Sequence, residues 1–345
     1  MSIDTVQPIS HSSKFVHLGD VAPRPAPFQA WERFRRRQAH WAVEMIAEGL
    51  GVFFYVFAGV GPTAGFVLGS IAGEELSSVF QIGLSYAIGI VLALVVCSAT
   101  SGGHFNPAIT IAFTITKGFP KLKAVRYILA QLIGGYIACM LVYVQYKNLI
   151  DQVIAALKAS GKYDAIMFTP QGPGGIFGLY LLPHSNLGQV FLNEFLCTFI
   201  IGVVIWAVLD PTNIMVSPIA GPWIVALTYA TVIWGYSPVG LAANAARDLP
   251  GRLAALTIWG RAASGGTYAA IAALTNIPAT LLGALFYEFI LADPSRVITA
   301  TNLEVIASHK ATEEHSQGLM GMRHSNPSSV SSADEKTRED VSERA

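Results

Sequence analysis

Residues Ser101–Thr110, reading Ser-Gly-Gly-His-Phe-Asn-Pro-Ala-Ile-Thr, lie between two long apolar runs. They have the grammar of a helix start. Asn106 is a strong N-cap residue, and Pro107 suits the first helical position because its missing N–H would be unpaired there anyway. Ala108 to Phe113 continues the helix. The glycine and polar residues ahead of Asn106 cannot face lipid, so this backbone is expected to be buried in protein or to line a water-filled cavity. The capped helix end then faces that cavity.

The pattern recurs at Gly240–Arg252, Gly-Leu-Ala-Ala-Asn-Ala-Ala-Arg-Asp-Leu-Pro-Gly-Arg, again between apolar runs. Asn244 takes the part of Asn106. The chain is 52% apolar and 13% charged, whereas soluble domains carry about 25% charged residues. It reads as an integral membrane protein. Runs at 41–63, 78–99, 122–146, 188–209, 216–236 and 268–291 each approach the ~20 apolar residues that a bilayer crossing needs. The expected fold is an all-α membrane protein of six transmembrane helices plus two re-entrant half-helices, at 106–116 and 244–259. Ala47-Glu48-Gly49-Leu50-Gly51 opens the first span and Asn193-Glu194-Phe195-Leu196-Cys197 the fourth. Each repeat therefore holds three spans and one half-helix, and the odd number inverts the second copy. The two half-helix N-termini can then meet near the midplane.

The formal net charge is zero, which gives a nucleic-acid partner no electrostatic support. Cys97, Cys139 and Cys197 all fall in expected spans, which argues against a disulfide framework and a metal cluster; no cofactor or metal is implied. Residues 1–40 lack the apolar core of a cleavable signal peptide and read as a disordered cytoplasmic tail ending in the basic run Arg33, Arg35, Arg36 and Arg37. That run orients the chain by the positive-inside rule or binds anionic lipid. The membrane domain spans 41–292, and 293–345 reads as a second disordered cytoplasmic tail. Lys117, Lys121, Lys123 and Arg126 lie on the inner side and Glu74 and Glu75 outside, as that rule requires; Arg252 and Arg261 fall outside, against it. The Gly- and Pro-rich connection 147–187, with a short amphipathic helix at Asp151–Lys158, is either a vestibule wall or a spacer.

With both boxes in view, the chain resembles the aquaporin (major intrinsic protein) family over residues 42–291. Asn106-Pro107-Ala108 matches the family's box fully; Asn244-Ala245-Ala246 departs at its middle residue. Arg247 and Asp248 follow the second box as in the glycerol-conducting branch. The resemblance implies a passive channel for glycerol and similar small uncharged solutes with water, assembled as a homotetramer in the bilayer, with the plasma membrane the expected one. It also maps a selectivity filter onto Tyr86, Val232, Leu241 and Arg247, one aromatic and two aliphatic walls opposite a guanidinium. Glu48 and Glu194 hold the box-bearing loops in the family; a proton relay is the alternative. His104 resembles the family's histidine at the cytoplasmic mouth, and is either a structural group bonding a loop carbonyl or a pH gate.

Elementary electrostatics points the same way. Each half-helix N-terminus carries about +0.5 charge, so two of them at a pore centre repel cations and protons. Asn106 and Asn244 can cap their helices while turning amide N–H groups toward the lumen. Arg247, as an intramembrane charge, is expected to face a cavity or a partner. Asp248 cannot face its helical neighbour and is expected to pair within the loop, with Arg252. Ala245 in place of proline frees φ and adds an N–H but leaves cap and dipole unchanged. Leu249-Pro250-Gly251 also departs from the family's order, leaving open how Asp248 and Arg247 are held. Three rivals remain: a mainly water, ammonia or peroxide channel; an ion-coupled secondary transporter with inverted repeats; and an intramembrane enzyme, for which Ser101 and His104 are the nearby candidates. Gly134, Gly135 and Gly283 permit close helix packing without fixing an oligomer.

Overall fold

The computed structural model describes residues 15–321. Residues 41–299 form one compact unit, and the described residues 15–40 with 300–321 another. The first unit carries α1 (His40–Ala72), α2 (Val79–Ser101), α3 (Pro107–Thr116), α4 (Lys121–Ala159), α5 (Leu187–Leu209), α6 (Ala220–Tyr236), α7 (Ala245–Trp259) and α8 (Gly266–Leu291). Both expected half-helices are present as α3 and α7. The helices containing α1, α2, α4, α5 and α8 are long and apolar enough to cross a membrane. At 17 residues, α6 sits at the lower end of the ~17–25 residues a crossing takes.

Helix α4 is inside-out by the standards of a soluble protein. Its Tyr127, Gln131, Gly134, Ala138 and Val142 are buried, whereas Val125, Leu129, Ile133, Ile137 and Leu141 form an exposed apolar stripe. The near four-residue spacing is one helical face. Only a hydrocarbon solvent makes that face inexpensive to leave uncovered. At 39 residues the helix is roughly 60 Å long at 1.5 Å per residue, well beyond the ~30 Å hydrocarbon core. Its last turns absorb Asp151–Lys158, so the separate amphipathic helix expected there does not exist.

Glycines let backbones touch at two helix crossings. Helix α1 meets α4 where a Cβ on Gly134 would stand 1.9 Å from the Gly49 carbonyl oxygen, and α5 meets α8 where one on Gly283 would stand 2.6 Å from that of Phe199. The crossings occupy equivalent places in the two halves, as an inverted repeat requires. They use Gly134 and Gly283 inside one chain, so these residues say nothing about subunit contacts. At one end of the unit Lys123 pairs with Glu44 at 2.7 Å, the Arg126 guanidinium lies 5.1 Å over the Trp41 ring, and Lys117 pairs with Glu288. The starts of α1 and α4 and the ends of α3 and α8 therefore share that end.

The second unit corrects the expectation of disordered tails, because Ala26–Phe34 and Ala300–Gly321 are helical. In the first of these Phe28, Trp31 and Phe34 recur at one-turn spacing and are exposed. Residues 1–14 and 322–345, also expected to be disordered, lie outside the described residues.

The crossing gives a direct test. Gly134→Val should abolish the monodisperse protein peak in detergent gel filtration, because its branched side chain meets backbone; Gly61→Ala, where nothing lies within 4 Å of the added carbon, should elute as wild type. Equal recovery of the two would refute close α1–α4 contact.

Candidate functional site

The site begins with two buried carboxylates. Glu48 on α1 accepts from the backbone N–H of His104 (3.0 Å) and Phe105 (2.8 Å). Glu194 on α5 accepts from those of Ala242 and Ala243, both at 2.7 Å. Each pair of donors ends one residue before a helix cap. Phe105 and Ala243 are also held with φ of 47° and 56°, the left-handed region that costs a residue with a Cβ ~1–3 kcal/mol. A charge-assisted hydrogen bond contributes about 1.5–3 kcal/mol, so the two each carboxylate accepts outweigh the strain. Glu48 also receives the Ser101 hydroxyl and the Gln131 amide, both at 2.7 Å. Ser101 therefore serves the loop clamp.

Past the strained residue each chain turns into its half-helix. The Asn106 side-chain oxygen accepts from Ala108 N–H, and that of Asn244 from Ala246 N–H, both at 2.8 Å. These are the N-caps read from the sequence, and Ala245 fills the place of Pro107 without disturbing its cap. The two ends meet: Asn244 Nδ2 donates to the Phe105 carbonyl at 3.0 Å. Its other hydrogen goes to the Tyr55 hydroxyl at 2.8 Å, and Asn106 Nδ2 donates to the Tyr229 hydroxyl at 3.2 Å. Contrary to expectation, both amide hydrogens of Asn244 and one of Asn106 have protein partners. Tyr55 and Tyr229 escaped the sequence reading, although Tyr55 lies two turns beyond Glu48 on one helix face and Tyr229 one turn before Val232.

One turn into α7, Arg247 is buried. It donates from Nε to the Tyr86 hydroxyl (2.9 Å), from Nη1 to the Phe177 carbonyl (2.5 Å) and from Nη2 to the Ile176 carbonyl (3.3 Å). Among the described residues, three of the five guanidinium N–H groups find an acceptor and two do not. Tyr86 is thus brought to Arg247. Val232 and Leu241 pack together with Cys197, Ile201 and Ala243 in an apolar cluster. The carbonyls of 176 and 177 were invisible in the sequence, since any residue supplies one. They belong to the 147–187 connection, which is buried here around Pro173–Ile176; a loose spacer is ruled out.

Asp248 pairs with Arg252 at 2.9 Å, as expected, and accepts from Leu179 N–H at 2.8 Å. Arg252 reaches on to the carbonyls of Leu179 (2.7 Å) and Ser264 (3.2 Å). Its charge is neutralised inside the protein, which explains why it breaks the positive-inside pattern. Helix α7 runs on through Pro250, so the altered order there does not dislodge Asp248 or Arg247. His104 bonds through Nδ1 to the Thr110 hydroxyl at 3.2 Å, in place of the loop carbonyl expected, and packs among the rings of Phe113, Phe119 and Tyr127. The three cysteines are free and buried.

Six apolar crossings or near-crossings and two opposed half-helices define a multi-pass membrane channel of the aquaporin fold. The major intrinsic protein profile matches residues 35–263. The chain is 54% identical over 312 residues to Aquaporin-3 of Laccaria bicolor, covering 89% of this chain and 94% of that protein. It is 35% identical over 211 residues to Aquaglyceroporin-2 of Rhizophagus irregularis, covering 61% and 64% respectively. The X-ray structure of the aquaglyceroporin from Plasmodium falciparum superposes with a TM-score of 0.62 at 23% identity, over 73% of this chain and 97% of that one, a likeness of fold. The chain belongs to the major intrinsic protein family, whose members are channels and not enzymes.

The strained loop residue can be tested by backbone freedom. Ala243→Gly should unfold in detergent at or above the wild-type temperature, whereas Ala243→Val, β-branched at positive φ, should unfold several degrees lower. The reverse order would mean that the loop does not hold residue 243 left-handed.

Proposed function

We propose that this protein is a passive pore for glycerol and other small uncharged solutes, with water as co-permeant, that excludes protons and ions. The observation that carries this reading is the contact between the two capped helix ends, Asn244 Nδ2 to the Phe105 carbonyl at 3.0 Å. Opposed N-termini concentrate two partial positive charges at one point inside the membrane, which a cation or proton must climb and a neutral solute need not. Asn106 and Asn244 form the pore centre. Glu48 and Glu194 position the loops, Asp248 braces the start of α7 through Arg252, and His104 packs beneath the first box.

The filter is built from Tyr86, Val232, Leu241 and Arg247. The two guanidinium N–H groups left unengaged donate to solute hydroxyls, while Val232 and Leu241 offer the carbon backbone an apolar wall. A glycerol molecule sheds more hydrogen bonds on entry than water does, so it gains more from those donors. The name of the Rhizophagus relative, an aquaglyceroporin, supports the same class. A second reading, a mainly water, ammonia or peroxide pore, is favoured by the plainer name of the more similar Laccaria relative, an aquaporin. The channel domain is residues 41–292, with both tails on the cytoplasmic side of the plasma membrane and four copies assembling, each with its own pore.

Stopped-flow measurements on proteoliposomes decide between the readings. Wild type should pass glycerol well above protein-free vesicles, and Arg247→Ala should lower the glycerol-to-water ratio several-fold. Glycerol flux at the vesicle background beside rapid water flux would replace the first reading with the second. An unchanged ratio in Arg247→Ala would remove that residue from the filter.

A further inference from the structure

The junction carries two aromatic side chains that the filter at Arg247 does not include. Tyr55 of α1 is buried to 4% exposure and its hydroxyl takes an amide hydrogen from Asn244 at 2.8 Å, while lying 3.4 Å from the Phe105 carbonyl. Tyr229 of α6 is half-buried and takes an amide hydrogen from Asn106 at 3.2 Å. Tyr229 packs against both the main core cluster and the cluster holding Val232 and Leu241. One ring thus stands beside each asparagine, contributed by opposite halves of the repeat.

Counting hydrogens shows what a solute meets there. An asparagine amide has two N–H groups; both of Asn244's are engaged and one of Asn106's is left. The Tyr229 hydroxyl accepts from Asn106, and its own proton has no protein acceptor among the described residues. The donors open to a passing oxygen are one Asn106 N–H and the Tyr229 O–H. Asn244 has none.

Granting the pore reading above, we infer that Tyr55 and Tyr229 form a second selecting ring at mid-membrane, distinct from the Arg247 opening. Their phenol rings set its width, and the Tyr229 hydroxyl takes over from the Asn244 amide as donor to the permeating solute. The class it selects is narrow, unbranched and hydroxylated, because such a molecule slides between two ring faces while its oxygens accept from Tyr229 and Asn106. A bulkier or fully apolar solute fails on width or on hydrogen bonding.

The experiment compares Tyr229→Val, Tyr229→Phe and Tyr55→Phe with wild type in proteoliposomes, reading the flux of glycerol and of the branched polyol pentaerythritol as ratios to water flux on the same vesicles. Tyr229→Val removes the ring and should raise the pentaerythritol-to-water ratio several-fold. Tyr229→Phe keeps the ring and exchanges its O–H for the Asn106 N–H it releases, leaving two open donors, so it should keep pentaerythritol out; Tyr55→Phe should raise the glycerol ratio by releasing an Asn244 hydrogen to the solute. Wild-type ratios in all three variants would overturn the inference, as would pentaerythritol entry in Tyr229→Val and Tyr229→Phe alike. Should Tyr229→Val fail to fold, wild-type ratios in the two Phe variants would still overturn it. Glycerol excluded by wild type but admitted by Tyr229→Val would refute the glycerol assignment and uphold the second ring.

Discussion

The architecture depends on two ionisable side chains buried in a membrane and satisfied by backbone. A carboxylate without partners in such a place would be prohibitively costly, and so would the unpaired N–H groups of a loop there. Glu48 and Glu194 resolve both problems at once, each taking two loop N–H groups. The arrangement fixes Phe105 and Ala243 in a conformation that residues with a Cβ avoid. From that forced turn the direction of each half-helix follows, and so does the meeting of their caps.

The second half is braced more heavily than the first on the side of the long connection. Arg247, Asp248 and Arg252, three charges on one short helix, all bond to backbone between Ile176 and Leu179. Breaking the buried Asp248–Arg252 pair by removing one partner would leave a charge in low dielectric, a loss on the order of 3–5 kcal/mol. The connection is therefore part of the wall that orients Arg247. On the first side the equivalent support comes from side chains instead: Ser101 and Gln131 donate to Glu48, and Gln131 also donates to the Thr110 hydroxyl.

What the sequence disclosed was whatever its residues do locally. Asn106 and Asn244 announce helix caps by type and position, Glu48 and Glu194 stand out as acids in apolar runs, and α2 and α5 follow from hydropathy and length. Asp248 and Arg252 are four apart on a helix, so their pairing was geometrically legible. The carbonyls of Ile176 and Phe177 were not, since a backbone acceptor has no residue signature. Tyr55 and Tyr229 carry no local signal of their role, which arises only where the folded chain puts each beside an asparagine from the opposite half. Hydropathy ends the third span at polar Lys147, whereas α4 runs to Ala159, because a helix leaving the membrane has no reason to end at the headgroups.

The claim at the centre is that two helix ends, facing each other in the bilayer, admit neutral molecules while repelling charge. Water and proton fluxes measured together, in proteoliposomes loaded with a pH-sensitive dye, address it most directly. The account requires water flux well above protein-free vesicles and proton flux indistinguishable from them across an imposed pH gradient. Proton flux rising with protein content in step with water flux would contradict it.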